Sequence, residues 1–88
     1  MQNETNLLQF PCEFPIKAMG FNSSDFDCHV VEIVRRHAPD IAEGAIHSRL
    51  SKSSKYISIT ITIKAESKNQ LDAIYQDLSA SQMVLMAL

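Results

Sequence analysis

Cysteine, glycine, proline and tryptophan are all scarce in this sequence, with two, two, three and none among 88 residues. Cys12 and Cys28 are too few and too far apart for a disulfide framework or a CxxC site. The chain also lacks the basic cluster and long apolar core of a secretory signal, and it has no apolar run that could span a bilayer. These absences predict a cytoplasmic protein whose cysteines stay reduced.

A large charge of one sign is also missing, since the formal net charge is -2 at pH 7. A nearly neutral chain has no general attraction for phosphate backbones, so bulk nucleic-acid binding is disfavoured. With 45% hydrophobic and 20% charged residues, the composition is that of a globular protein. The length predicts a single domain, residues 1–88, in which the polar lead-in segment, residues 1–11, folds back through Leu7, Leu8 and Phe10.

Hydrophobic periodicity predicts four strands. Alternating apolar residues indicate strands at residues 14–19, 46–50 and 57–63, and Gly20 marks the end of the first of them. The apolar run at residues 83–88 predicts the last strand. Residues 57–63 alternate isoleucine with serine or threonine so regularly that this strand is expected at the centre of the sheet, because it would aggregate at an edge.

Two helices are predicted between the strands. The first begins near Asp25 and ends before Pro39, and its apolar face repeats at helical spacing through Phe26, Val30, Ile33 and Val34. The second begins at a capping box formed by Ser67 and Gln70. The resulting order βαββαβ indicates a ferredoxin-like α+β sandwich, a four-stranded antiparallel sheet with both helices on one face.

The other face of this sheet is expected to remain open. It should present Lys17, His47 and Arg49 beside the hydroxyls of the third strand, and such cations can hold a carboxylate or phosphate through charge-assisted hydrogen bonds. Lys17, His47 and Arg49 are therefore the candidate ligand-binding residues. The alternative is a solvated face with scattered charge and no ligand.

The last strand is apolar at every position and is expected at the sheet edge beside the first strand. An exposed apolar edge favours contact with a partner, either a second copy of the chain or another protein. The candidate interface residues are those expected to point outward there, namely Met83, Leu85, Ala87 and Met19. Cover by Leu7, Leu8 and Phe10 of the same chain is the alternative.

Other functions of this fold fit the sequence less well. RNA-recognition modules need aromatic residues on the open face of the central strands, where Tyr56 is the only nearby aromatic. Metal carriers of this shape need a CxxC after the first strand. His29, expected on a solvated helix face, and His37, expected at the helix end, lie beside no recognisable nucleophile motif, and His29 with Glu32 makes only two metal ligands. We therefore expect no enzyme activity, cofactor or metal.

Four segments resemble the YbeD family of small bacterial proteins: FPCEFPIKAMG at residues 10–20, VVEIVRRHAP at residues 30–39, SKSSKY at residues 51–56 and the terminal Met86, Ala87 and Leu88. The resemblance implies a ferredoxin-like fold similar to the ACT domains that regulate amino-acid metabolism, no established activity, and a link to lipoate metabolism. The family motif includes Lys17, Met19, Gly20, His37 and Pro39, with no established role for any of them. Leu85 departs from the family, which can carry a charged residue there.

Two functional hypotheses remain. The first is a regulatory or ligand-binding module like an ACT domain, which works as a dimer and binds a small anionic metabolite near an interface. The second is a protein-interaction adaptor that uses the apolar sheet edge. RNA binding and catalysis rank below both.

Overall fold

The computed structural model describes residues 9–88. Four strands and two helices follow one another as β1 (Cys12–Phe21), α1 (Phe26–Arg35), β2 (Ile46–Leu50), β3 (Tyr56–Ala65), α2 (Lys68–Ala80) and β4 (Met86–Ala87), with a short 3-10 helix at Glu43–Ala45 before β2. The strands form one sheet in the order β2-β3-β1-β4, and every neighbouring pair is antiparallel. The predicted ferredoxin-like α+β fold is confirmed.

The two central strands, β1 and β3, pair along their whole length, from Cys12 opposite Ala65 to Phe21 opposite Tyr56. Successive side chains of a strand point to opposite faces, so one face of this ribbon carries Ile16 and Ala18 opposite Ile61 and Ile59. All four are buried. The predicted central place of the isoleucine-rich strand is confirmed.

Both helices cover this apolar face. Helix α1 buries Phe26, Val30, Ile33 and Val34, and helix α2 buries Leu71, Ile74 and Leu78. Each of these larger side chains contributes roughly 1.5–3 kcal/mol through removal from water. Within residues 9–88 neither helix is long and apolar enough to cross a membrane.

The predicted capping box starts α2. The Ser67 hydroxyl accepts a hydrogen bond from the Gln70 backbone N–H at 3.1 Å, and the Gln70 side-chain oxygen accepts from the Glu66 backbone N–H at 2.7 Å. The glutamine therefore reaches one residue further back than in the usual motif. Its amide nitrogen also donates to the His37 carbonyl at 2.7 Å, which ties the start of α2 to the end of α1.

Gly20 does not end β1, contrary to the prediction, because the strand continues to Phe21. A Cβ at position 20 would collide with the Phe26 ring and the Met83 carbonyl. The glycine is thus required by a close approach between β1, α1 and the segment before β4, and it makes no turn.

Strand β4 is shorter than predicted. It comprises Met86–Ala87 only, because Met83 and Val84 turn inward and pack against the core. The predicted cover of this edge by Leu7 and Leu8 lies outside the described residues. Phe10, the third apolar residue of the lead-in segment, is half-buried against the core.

The short last strand is held by hydrogen bonds at Leu88. Its N–H donates to the Lys17 carbonyl at 2.7 Å, and its carbonyl accepts from the Lys17 N–H at 3.1 Å. The Tyr75 hydroxyl of α2 donates to the same Leu88 oxygen at 2.7 Å. Burial raises the pKa of Tyr75 above the usual value for tyrosine.

Gly20→Ala should lower the free energy of unfolding by about 1–3 kcal/mol, the usual range for a forced overpacking. Gly44→Ala is the matched control, because a Cβ at position 44 meets nothing within 4 Å. Urea unfolding of both variants measures the difference. Equal stability of the two alanine variants would contradict the close approach at Gly20.

Tyr75→Phe should cost about 1 kcal/mol at neutral pH through loss of one hydrogen bond. The raised pKa of Tyr75 means that the folded protein favours the neutral phenol. Its contribution is therefore complete below pH about 10 and is lost as the pH rises further. Unfolding measured from pH 7 to pH 11 should show a steeper alkaline loss of stability in the wild type than in Tyr75→Phe, and parallel curves would refute this role.

Candidate functional site

The open face of the sheet brings together the three predicted ligand-binding residues. Thr60 of β3 pairs with Lys17 of β1 on one side and with His47 of β2 on the other. Ser58, two residues earlier, pairs in the same way with Met19 and Arg49. Adjacent strands lie about 4.8 Å apart, so the backbones of Lys17 and His47 are roughly 10 Å apart.

The side chains of all three residues are exposed on this face, away from the helices. The ion pairs within residues 9–88 are His37 with Asp77 and Lys68 with Asp72, so neither Lys17 nor Arg49 is neutralised by a described carboxylate. The strand register therefore forms a row of unpaired donors interleaved with hydroxyls. Their role in ligand binding stays a prediction.

Charge is distributed unevenly between the two layers of the described chain. Lys17, Arg49 and Lys64 lie on the open face, and Glu13 is the one acidic residue that the strand register places there. The other acidic residues described lie in the helices or next to them, namely Asp25, Asp27, Glu32, Asp40, Glu43, Glu66, Asp72 and Asp77. The helices and the residues next to them also carry Arg35, Arg36 and Lys68, so the two layers differ in their carboxylates. The near-neutral total therefore combines a cationic sheet face with a helical layer in which carboxylates outnumber cations, and a local field of the first kind attracts anions.

One end of the open face carries an aromatic pair that the sequence analysis missed. Phe21 of β1 lies opposite Tyr56 of β3, and their rings stack with centroids 5.4 Å apart and planes 26° apart. The Lys55 ammonium lies 5.5 Å from the centre of the Tyr56 ring. Phe21 has the same parity as Lys17 and Met19, so continuing the alternation past Gly20 would have placed it on this face.

A small cavity adjoins the aromatic pair. It has a volume of about 140 Å³ and lies between Met19, Arg49, Leu50, Tyr56 and Ser58, with Ser51 and Ile57 completing its wall. Small-molecule sites commonly measure about 300–1,000 Å³. This cavity is therefore too small to enclose a metabolite within one chain.

The apolar edge differs from the prediction in which residues point outward. Ala87 pairs with the buried Ala18 and packs against the core, so its predicted outward orientation is wrong. Met83 also packs against the core. Met86 instead lies beside Met19 on the open face, and the exposed residues of this edge are Leu85, Met86 and Leu88, at 53%, 51% and 62%.

Two histidines lie elsewhere, between the helices. His37 donates to the Asp77 carboxylate at 2.7 Å instead of meeting only the end of its helix. His29 is half-buried and hydrogen-bonds with the Ser81 hydroxyl at 2.7 Å, so its predicted solvated position is wrong. Residues 9–88 contain no cluster of three or more His, Cys, Asp or Glu side chains that could hold a metal ion.

Comparison with known proteins gives one family. The model of a protein family of unknown function, DUF493, matches residues 5–88. A UPF0250 protein of Nitrosomonas europaea is 42% identical over 85 residues, which cover 97% of this chain and 98% of that protein. A UPF0250 protein of Chromobacterium violaceum is 43% identical over 82 residues, which cover 93% of this chain and 92% of that protein.

A comparison with solved structures also supports the fold. The solution structure of protein HP0495 from H. pylori superposes with a TM-score of 0.73 and covers 99% of this chain and 91% of that chain. The sequence identity is 13%, so the likeness concerns the fold alone.

Proposed function

This chain belongs to the DUF493 family of small bacterial proteins, which confirms the YbeD-like resemblance, and from that premise we propose that it is a binding module whose open sheet face receives an anionic ligand. The observation that carries the proposal is the row formed by Lys17, Thr60 and His47, with Arg49 beside it. Charge-assisted hydrogen bonds from such donors are the strong ones. The scarcity of acidic side chains on the same face leaves the donors free for an outside anion.

More specifically, we propose that the chain is a regulatory module resembling an ACT domain. It binds a small anionic metabolite, and amino acids and lipoate both offer the carboxylate that Lys17, His47 and Arg49 would meet. Because the cavity beside Arg49 is small, we propose that a second copy of the chain completes the enclosure as a homodimer. Free thiols at Cys12 and Cys28 support a cytoplasmic location.

A binding role fits the surroundings of the acid-base groups better than catalysis does. His29 and His37 are engaged with Ser81 and Asp77 between the helices, away from the open face. His47 lies on the open face but its cross-strand neighbour is Thr60, and the register places no carboxylate beside it that would orient its ring. We therefore propose no enzyme activity for this chain.

Lys17→Ala and Arg49→Ala should each weaken binding of an anion by roughly tenfold or more, because each removes a charge-assisted hydrogen bond. The probes are lipoate, octanoate, a set of amino acids and inorganic phosphate, tested by thermal shift. A ligand at about a hundred times its dissociation constant adds about 2.7 kcal/mol, which raises the midpoint by several degrees or more.

Arg35→Ala is the matched control, since Arg35 is an exposed arginine at the end of α1 in the other layer. It should bind every probe as the wild type does. If the two open-face variants show the same shifts as Arg35→Ala, the open face is not the anion site.

The second candidate function is a protein-interaction adaptor, favoured by the exposed apolar edge formed by Leu85, Met86 and Leu88. An apolar group of this kind at a short, uncovered edge strand is a typical docking surface. As in the first proposal, the partner that we propose for this edge is a second copy of the chain.

Leu85→Lys should therefore weaken self-association by about tenfold or more, because a lysine ammonium would lose its water in the contact. Leu50→Lys is the matched control, since Leu50 is 49% exposed on β2 at the opposite edge of the sheet. Sedimentation equilibrium gives the dissociation constants of both variants. Equal self-association of the two lysine variants would argue against an interface at β4.

A further inference from the structure

The aromatic pair on the open face has no structural task in the core. Phe21 is 54% exposed although it sits at the end of a central strand, and its ring stacks on Tyr56. One face of the Tyr56 ring meets Phe21, and the Lys55 ammonium lies over the same ring, so the outer face of Phe21 is the flat apolar surface on which a third ring can lie in the same offset arrangement. The pair therefore presents a platform of the kind that receives a planar ring.

Cationic groups lie within reach of this platform. Same-face residues of a strand are two positions apart, about 6.7 Å along the strand. Arg49, opposite Ser58, is thus one step from Tyr56, and Lys17, opposite Thr60, is two steps away. Arg49 and Tyr56 also share the wall of the 140 Å³ cavity, and the Lys55 ammonium lies 5.5 Å from the Tyr56 ring centre.

We propose that the ligand of the open face is a nucleoside phosphate, whose base stacks on the outer face of Phe21 while its phosphate is bound by Arg49 and Lys17. This inference rests on the anion-binding function proposed above and names the chemical class of the ligand. The platform complements a planar ring, and the cations complement an anion a short distance from that ring. The many carboxylates of the helical layer disfavour the same ligand there.

The platform fits a free nucleotide and not a nucleic-acid strand. Proteins that bind single strands stack successive bases on successive aromatic side chains. Beyond Tyr56, the positions of β3 on the open face hold Ser58, Thr60 and Thr62, none of which offers a ring. The face can stack one base, so a longer strand gains no further base stacking.

The test compares AMP with ribose 5-phosphate, which carries the same phosphate and sugar without the base. Amide spectra of the 15N-labelled full chain, recorded at low salt during titration, give both dissociation constants and the residues affected. Base stacking on aromatic side chains predicts that AMP binds about 5- to 150-fold more tightly. The amides of Met19, Phe21 and Tyr56 should respond to AMP more than to ribose 5-phosphate.

Phe21→Ala should remove the preference for AMP and leave ribose 5-phosphate binding unchanged. Phe21→Leu, which keeps an apolar side chain but no ring, should behave in the same way and guards against a general loss of structure. Arg49→Ala should weaken both ligands together. Arg35→Ala, at an exposed position on α1 away from the platform, should change neither.

Each outcome decides something. Equal binding of AMP and ribose 5-phosphate overturns the base platform and leaves the anion site standing. No binding of either overturns the nucleoside phosphate as the ligand, and the thermal-shift test with carboxylates then decides the anion site separately. A 12-nucleotide single strand offers several equivalent binding positions, which alone raise its apparent affinity somewhat above that of AMP. Binding far tighter than this statistical factor explains would overturn the assignment to a free nucleotide.

Discussion

The pairing of β1 with β3 is the constraint on which the rest of the molecule depends. Side chains alternate along a strand, so a slip of one residue would exchange the two faces of the sheet. In the observed register Ile16 and Ala18 lie opposite Ile61 and Ile59 beneath the helices, and Lys17 lies opposite Thr60 on the open face. Burial of the isoleucines makes the alternative register costly, because it would place Lys17 in the core. The positions of the cations thus follow from the packing of the apolar residues.

That register also separates the charges. A chain with a formal net charge of -2 still presents Lys17, Arg49 and Lys64 on one layer and most of its described carboxylates on the other. Net charge alone therefore does not show how charge is distributed over the surface of this protein. A mildly acidic protein can still present a cationic face when most of its carboxylates lie in the other layer.

Much of the architecture was predictable because its signals are local. The alternation of Ile57, Ile59, Ile61 and Ile63 indicated a half-buried strand, and Ser67 with Gln70 indicated a helix start. The same alternation predicted that Lys17, His47 and Arg49 would share a face. Each of these inferences needs only the period of one element and the order of elements in the fold.

The features that sequence reasoning missed depend on contacts between distant residues or on a pattern without alternation. Residues 83–88 are all apolar and therefore show no alternation of apolar and polar side chains. The sequence thus did not indicate that Ala87 points inward and Met86 outward. The sequence does not show the contact between Gly20 and Phe26, because it forms only in the tertiary structure, so Gly20 was predicted to end the strand. Phe21, the next residue, was for that reason not predicted to lie on the open face. The contacts of the two histidines of the first helical segment were missed for the same reason. His29 contacts Ser81 just after the second helix, and His37 contacts Asp77 within it.

The central claim is that the open sheet face, and not the helical layer, concentrates anions. Paramagnetic relaxation of protein protons by two soluble gadolinium chelates of equal size, one anionic and one neutral, tests it without any assumption about the ligand. The account predicts that the anionic chelate relaxes the side-chain protons of Lys17, Thr60 and Arg49 more strongly than the neutral one, and those of Asp27 and Asp72 more weakly. Equal ratios on both layers would contradict it.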